Sequence, residues 1–255
     1  MNKRADILTL ATHKGGVGKT STLICLAGVL SEKEKVLLVD IDPQADLTES
    51  FDFGPYDRTL YDAMSDYKAG RKSPLPIYNI SKNLDIIPAS IELNNLNLLF
   101  ASYPSSNTVL KRLLESVVDQ YDWILIDPPG DLQLPATNAI IASDHVVAPI
   151  TCDSYSIRAL GRILGFVEIC QDVNPRLSTL GILIVKYNKQ RTVDNLVAEQ
   201  IQETWPKLIF KTKISNSTAV SKAILSKDFI TKLYRRTTVS NDFKELCKEV
   251  KQRVK

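Results

Sequence analysis

The run His13-Lys14-Gly15-Gly16-Val17-Gly18-Lys19-Thr20-Ser21 constrains this chain more than any other feature. It lies between a short apolar run at 7–11 (ILTLA) and a segment with Leu23, Ile24, Ala27 and Leu30 at helical spacing. A glycine-rich loop between a strand and a helix is the arrangement that cradles phosphate groups. Glycines let the backbone approach an anion and turn N–H groups toward it, and the following helix adds its positive N-terminal end. In such a loop Lys19 reaches the β- and γ-phosphates of a nucleotide, and the Thr20 hydroxyl is placed to ligate Mg²⁺. A mere glycine turn beside two surface lysines would leave the flanking strand and helix unexplained. His13 stands where the ordinary G-x-x-x-x-G-K-[ST] pattern has glycine, and reads as a residue filling the base of the loop.

The rest of the chain repeats the strand–helix alternation. Apolar runs predict strands at 35–40 (KVLLVD), 84–88, 123–127 (WILID), 145–150 and 180–187 (LGILIVKY), with 209–214 as an edge strand. Helical spacing predicts helices at 20–30, 92–100, 108–118, 157–170, 193–204 and 241–254; Trp205-Pro206 ends the fifth of these. This order predicts an α/β fold of the P-loop NTPase kind, a mostly parallel twisted sheet with helices on both faces. Right-handed crossovers then gather the C-terminal ends of the strands, and any ligand, along one edge. The stretch 52–76, rich in Asp, Tyr, Gly and Pro, reads as a surface excursion. No repeat or linker divides the chain, so 1–255 reads as one domain.

Composition narrows the field. The chain has 255 residues and is 44% hydrophobic and 24% charged, which excludes collagen-like, coiled-coil and wholly disordered classes. No apolar stretch approaches the ~20 residues of a membrane span. Lys3 and Arg4 are followed by too short an apolar run for a signal peptide. Cys25, Cys152, Cys170 and Cys247 form no C-x-x-C pair, so the reading is a reduced, cytoplasmic protein without a zinc site or disulfide scaffold. The net charge of +3 hides an asymmetry. Residues 181–255 hold 16 Lys+Arg against 7 Asp+Glu, a balance of +9, which leaves −6 for 1–180. That split fits either a polyanion-binding face or a set of solvated helix faces.

The run K-G-G-x-G-K-[ST] resembles the deviant Walker A motif of the ParA/MinD ATPase superfamily. Segment 36–44 (VLLVDIDPQ) is similar to its second motif, and 121–130 (YDWILIDPPG) to its Walker B strand and switch. Segment 138–148 is similar to the helix and strand that follow, with weaker likenesses at 187–192 and 211–223, so the resemblance covers essentially the whole chain. Within it the ParA/Soj type of partition ATPase fits best. The resemblance implies ATP and Mg²⁺ as cofactors, with Gly15, Gly16, Val17, Gly18, Lys19, Thr20 and Ser21 around the phosphates. Asp127 ends an apolar strand, where a carboxylate is costly without a cation to face, and is assigned to Mg²⁺ with Thr20. By resemblance Asp42 positions the attacking water and Asp40 supports the metal shell or loop; the other reading of Asp40 is a turn residue at the strand end. Asn188, Ser215 and Asn216 are the candidates for adenine by position. This chain has Ser215-Asn216 where the family commonly has Pro-Arg, and Lys222 where it has Glu.

Lys14 matches the lysine that, in relatives, reaches across a dimer interface to the partner's nucleotide, implying an ATP-dependent homodimer with Lys14, Lys19 and Asp42 as its catalytic set. The resemblance also implies nonspecific double-stranded DNA as a ligand, a ParB-like partner that stimulates hydrolysis, and a nucleoid-associated location. Lys186, Arg191, Lys211, Lys213, Lys222, Lys227, Arg235 and Arg236 are the candidate DNA contacts. With the loop beginning by residue 14, no N-terminal helix-turn-helix is expected. The alternative is a MinD-like membrane-associated positioning ATPase. Segment 241–254 is basic and amphipathic, but with one aromatic its apolar face suits docking on the core better than a membrane surface.

Overall fold

A computed structural model describes residues 4–51, 54–153 and 155–255. Lys3 and the first two residues of the stretch 52–76 lie outside the described residues. The strands are β1 (Asp6–Leu10), β2 (Val36–Asp40), β3 (Tyr78–Ser81), β4 (Leu84–Ile87), β5 (Trp123–Asp127), β6 (His145–Ile150) and β7 (Ser178–Ile184). They form one sheet in the order β3-β4-β2-β5-β1-β6-β7, parallel throughout except for β3, which pairs antiparallel with β4 at the edge. The expected mostly parallel sheet between helical layers is therefore the observed fold.

Both faces of the central strands are buried, as crossover helices on both sides require. Leu8, Leu38 and Leu125 join the core on one face, while Ile7, Leu37 and Ile124 join the core on the other. The first face packs on α1 (Lys19–Leu30), which is buried almost all round, with Leu23, Leu26 and Leu30 at most 1% exposed. Each such leucine contributes roughly 1.5–3 kcal/mol through burial. After α2 (Asp46–Glu49) and α3 (Leu60–Lys68), α4 (Leu96–Leu99), α5 (Val109–Leu114) and α6 (Leu134–Ala142) follow, with α7 (Ser156–Gln171) and α8 (Thr192–Thr204). The chain ends with α9 (Thr218–Leu225), α10 (Ile230–Leu233) and α11 (Thr238–Arg253). The apolar face of α11, with Val239, Phe243, Leu246 and Val250, is buried in the core that holds α1, so the tail docks as expected.

Several boundaries differ from the sequence reading. The stretch read as a surface excursion also holds a helix, α3, opened by a Thr59/Asp62 capping box. The Asp62 carboxylate accepts the Thr59 N–H at 2.7 Å, a T-x-x-D signal that the turn-rich composition concealed. Strand β3 is too short and too exposed to show as an apolar run. The helix expected at 92–100 is a 3₁₀-helix (Ile91–Asn95) followed by the single turn of α4, with the poor helix formers Asn94 and Asn95 at the junction. That expected at 108–118 ends as α-helix at Leu114.

Segment 209–214 is not a regular edge strand. It meets β7 through an isolated bridge at Ile209, and Ser215 just after it bridges Tyr187 beyond the strand end. Between them the N–H groups of Lys211 and Thr212 turn instead to the Glu249 carboxylate of α11, at 2.8 and 2.9 Å. Side-chain acceptors on a helix thus replace part of the strand ladder. Gly181 in β7 makes this close approach possible: a Cβ there would lie 2.5 Å from the Leu208 carbonyl oxygen and 2.6 Å from the Arg253 guanidinium. Gly181→Ala is expected to destabilise the protein by about 1–3 kcal/mol through overpacking, read as a lower urea midpoint with an unchanged slope.

Candidate functional site: a phosphate cleft at the strand ends

The C-terminal ends of β1, β2 and β5 open onto a cleft of about 670 Å³. Its floor is residues 15–22, its walls include Asp42, Pro43, Gln44 and Asp46 on one side and Ile214–Ser217, Val220 and Phe243 on the other. Asn94, Asn97, Asp131 and Gln133 complete the rim. The loop turns on two left-handed glycines, Gly16 (φ 69°) and Gly18 (φ 102°), conformations that only glycine adopts cheaply. Gly18 is also the residue before α1, and it offers no side-chain cap. The first N–H groups of α1 are therefore left to an external acceptor.

Parallel pairing places Asp40 of β2 directly beside Asp127 of β5. The two buried carboxylates are treated differently. Asp40 receives the Thr48 N–H and hydroxyl on one oxygen (2.9 and 2.7 Å) and the Asp42 N–H on the other at 3.0 Å. Its oxygens brace the turn after β2, a placement that fits loop support and the turn-residue reading of Asp40. Among the described residues, Asp127 accepts only the Thr20 hydroxyl, at 2.6 Å, and its other oxygen is buried without a hydrogen-bond partner. Lys19 is 9% exposed at the start of α1, and among the described residues no carboxylate closes an ion pair with it. An orphaned buried carboxylate oxygen, a hydroxyl and an unpaired ammonium beside a helix N-terminus fit a divalent cation and a polyphosphate.

Burial pushes the Asp127 carboxyl up to about 7; the Thr20 hydrogen bond and the Lys19 charge oppose the shift, and Asp42 and Asp46 add to it. Burial and then the Asp127 charge raise Asp40 against its three hydrogen bonds. Burial also raises Asp42, with the Gln44 N–H and Lys19 pulling the other way. Asp42 lines the cleft and is half-buried, where a carboxylate can orient a water.

The other sequence candidates separate into groups. Gly15 to Ser21, Ser215 and Asn216 line the cleft as expected. Asn188 does not: its side chain accepts the Gln190 N–H at 3.0 Å and its own N–H is bound by Asp194, which makes it a turn residue before α8. Lys14 points to the other side of the loop, where its ammonium meets Asp153 at 2.5 Å. Burial raises Asp153, but its bonds from Lys14, Thr151, Ser156 and the Tyr155 N–H win and hold it at about 2.

The basic candidates also divide. Arg191 lies against Asp194 (3.5 Å) just before α8, and the Lys213 ammonium stands 4.7 Å from the Tyr187 ring centre, in a shallow depression along α8 that Lys211 also lines. Lys222, Lys227, Arg235 and Arg236 are exposed on α9, α10 and their connections. Lys186 belongs to neither group, because it lines the cleft. Sequence reading missed Val220, Phe243, Asn94, Asn97 and Gln133, which carry no motif and reach the cleft only through packing. It also missed Asp242, whose carboxylate accepts the Ser215 N–H at 2.9 Å and so steadies the wall; a proline there would have no N–H to give.

The Asp127 shift has a consequence for stability. A folded carboxyl that keeps its proton to about pH 7, against an ordinary value of about 3.9, favours folding at low pH and loses that contribution as pH rises through 7. In Mg²⁺-free protein, Asp127→Asn is expected to exceed the native chain in stability at about pH 8, by roughly 4 kcal/mol. The gap narrows toward about pH 5, as read by urea melts across that range.

The profile of a family described as AAA domain matches residues 5–179. Among full-length relatives, the chain is 33% identical over 226 residues to the sporulation initiation inhibitor protein Soj of Bacillus subtilis (strain 168), covering 85% of this chain and 87% of that one. It is 30% identical over 227 residues to the chromosome partitioning protein ParA of Caulobacter vibrioides, covering 85% and 83%. Among solved structures, a putative plasmid partition protein from Borrelia burgdorferi B31 bound to AMPPNP superposes with a TM-score of 0.80 at 26% identity, covering 98% and 99%.

Proposed function

This chain belongs to the ParA/Soj family of partition ATPases, and from that premise we propose that it is an ATP-driven DNA-partition switch. In this reading 1–255 acts as one ATPase domain that binds ATP with Mg²⁺ and hydrolyses it slowly. Two copies close around two nucleotides, and the dimer holds double-stranded DNA of the nucleoid without reading sequence. A ParB-like partner on DNA or cargo stimulates hydrolysis and releases the dimer.

The observation that carries the reading is the pairing of Thr20 with a half-satisfied, buried Asp127 beside the uncapped N-terminus of α1. The N–H groups of 15–21 and the Lys19 ammonium hold the phosphates, while Thr20 and Asp127 hold Mg²⁺. When bound there, Mg²⁺ would supply neutralisation of the negative charge that develops on the phosphates. Asp42 orients the attacking water from the opposite wall. Ser215 and Asn216 border the base. Lys14 leaves Asp153 to reach the nucleotide of the second subunit, where the charge of a buried γ-phosphate needs an added cation.

Arg191, Lys211 and Lys213, with Lys222, Lys227, Arg235 and Arg236, supply phosphate contacts for DNA. The membrane alternative has less support. The apolar face of α11 is spent on the core, and no helix among the described residues is long and apolar enough to cross a membrane.

Light scattering in apo, ADP and ATP states, with and without DNA, tests the reading directly. The native chain should become a dimer with ATP alone, and that dimer should bind DNA with an affinity that falls steeply as salt rises. A chain that stays monomeric with ATP and ignores DNA refutes it. Lys14→Ala should bind nucleotide but neither dimerise nor hydrolyse. Arg191→Glu combined with Lys213→Glu should dimerise but lose DNA, and undiminished DNA binding by that variant would move the interface elsewhere.

A further inference from the structure

Lys186 follows β7 and is one of three non-glycine residues with positive φ among those described, at 54°. A long side chain in the left-handed region costs roughly 1–2 kcal/mol, and such strain persists where surrounding structure enforces it. Here it is enforced on both sides. The Val185 N–H is bound to the Ile150 carbonyl and the Tyr187 N–H to the Ile214 carbonyl, each at 2.9 Å. The backbone twist between these anchors sends the lysine back over the phosphate loop. Its Cε lies 3.7 Å from the position a Cβ would take on Gly18, and its ammonium donates to the Gly16 carbonyl at 2.7 Å.

The charge balance of the cleft gives this contact a purpose. The cations that line it are Lys19 and Lys186, against Asp42, Asp46 and Asp131. Lys14 does not count toward it, being held by Asp153. A lysine ammonium has three donors, and Gly16 takes one. Among the described residues no carboxylate closes an ion pair with Lys186, so its charge is available to an incoming anion. The peptide after Gly16 is trans, so anchoring the carbonyl toward Lys186 turns the Val17 N–H the opposite way.

We propose that Lys186 is a polyphosphate-binding residue of this cleft, which fixes the Gly16 peptide and donates to the phosphates of a bound nucleoside triphosphate at the same time. The inference rests on the ATP reading above. It makes the end of β7 part of the phosphate site and removes Lys186 from the DNA-binding set.

The test is equilibrium binding of ATP, inorganic tripolyphosphate and adenosine to the native chain and to Lys186→Met, Lys186→Arg and Lys186→Gly. Loss of a charged hydrogen bond to phosphate should weaken ATP and tripolyphosphate by about 10- to 100-fold in the Met variant. Adenosine binding should be unchanged, because the contact is with phosphate and not with the base. The Arg variant should recover most of the affinity. Lys186→Gly relieves the backbone strain without restoring the cation, and should bind tripolyphosphate as weakly as the Met variant. The inference is overturned if the Met variant binds tripolyphosphate like the native chain. It is equally overturned if glycine restores the affinity, or if adenosine weakens in parallel, which would mark a purely structural role. A native chain that binds neither ATP nor tripolyphosphate would instead remove the ATP reading, and this inference with it.

Discussion

Two buried carboxylates set side by side at the ends of parallel strands are the constraint around which the protein is arranged. The β2–β5 register puts Asp40 against Asp127, where burial and then the Asp127 charge raise the cost of ionising Asp40. The chain meets that cost asymmetrically. Asp40 is supplied with three protein hydrogen bonds and becomes part of the scaffold, holding the turn that carries Asp42. Asp127 is left with one, from Thr20, and with an oxygen that no group among the described residues satisfies. Leaving a buried polar atom unpaired costs about 1–3 kcal/mol, a cost that a bound cation removes. The strain of the resting site and its affinity for a ligand are thus the same feature seen twice.

The second element of the design is the way α11 governs the cleft from outside the sheet. Glu249 accepts the N–H groups of Lys211 and Thr212, Asp242 accepts that of Ser215, and Phe243 contributes to the wall itself. Arg253 donates to the carbonyls of Leu180, Leu208 and Ile209 and lies 4.1 Å from the Phe210 ring centre. Residues that look in sequence like a solvated amphipathic tail therefore tie 208–215 to β7. The positive balance of the C-terminal third is correspondingly smaller on the surface than the count suggests. Arg253 is consumed in this brace, Lys251 pairs with Glu34, and Lys186 faces the phosphate loop.

Legibility followed the range of the interactions involved. Strands β2, β5 and β6 were readable to within a residue because strands buried on both faces must be apolar throughout, whatever their partners. The phosphate loop was readable because its glycines and lysine act within nine consecutive residues. Helix α3 was missed though its capping box was present at Thr59 and Asp62, since the residues on either side are turn formers. The ladder at 209–214 failed as a strand for a reason no local pattern holds: its middle donors find acceptors on a helix some 37 residues further on. Asn188 is a nucleotide candidate by its position after β7, and its carboxamide oxygen closes the local turn by accepting the Gln190 N–H.

By itself the sequence determined that a strand would run into a glycine loop and a helix, that parallel strands would follow, and that a carboxylate would end two of them. Each of these depends on covalent geometry or on residue spacing within one element. Tertiary structure decided which carboxylate stays unsatisfied, where Lys14 rests and which cation joins the phosphate loop. Those outcomes depend on sheet order and register, which join residues as distant as Gly16 and Lys186, 170 positions apart. A lysine at a strand end looks the same in sequence whether its backbone continues the strand or turns left-handed. Only the hydrogen bonds that anchor Val185 and Tyr187 to different strands and loops force the turn, and with it the direction of the charge.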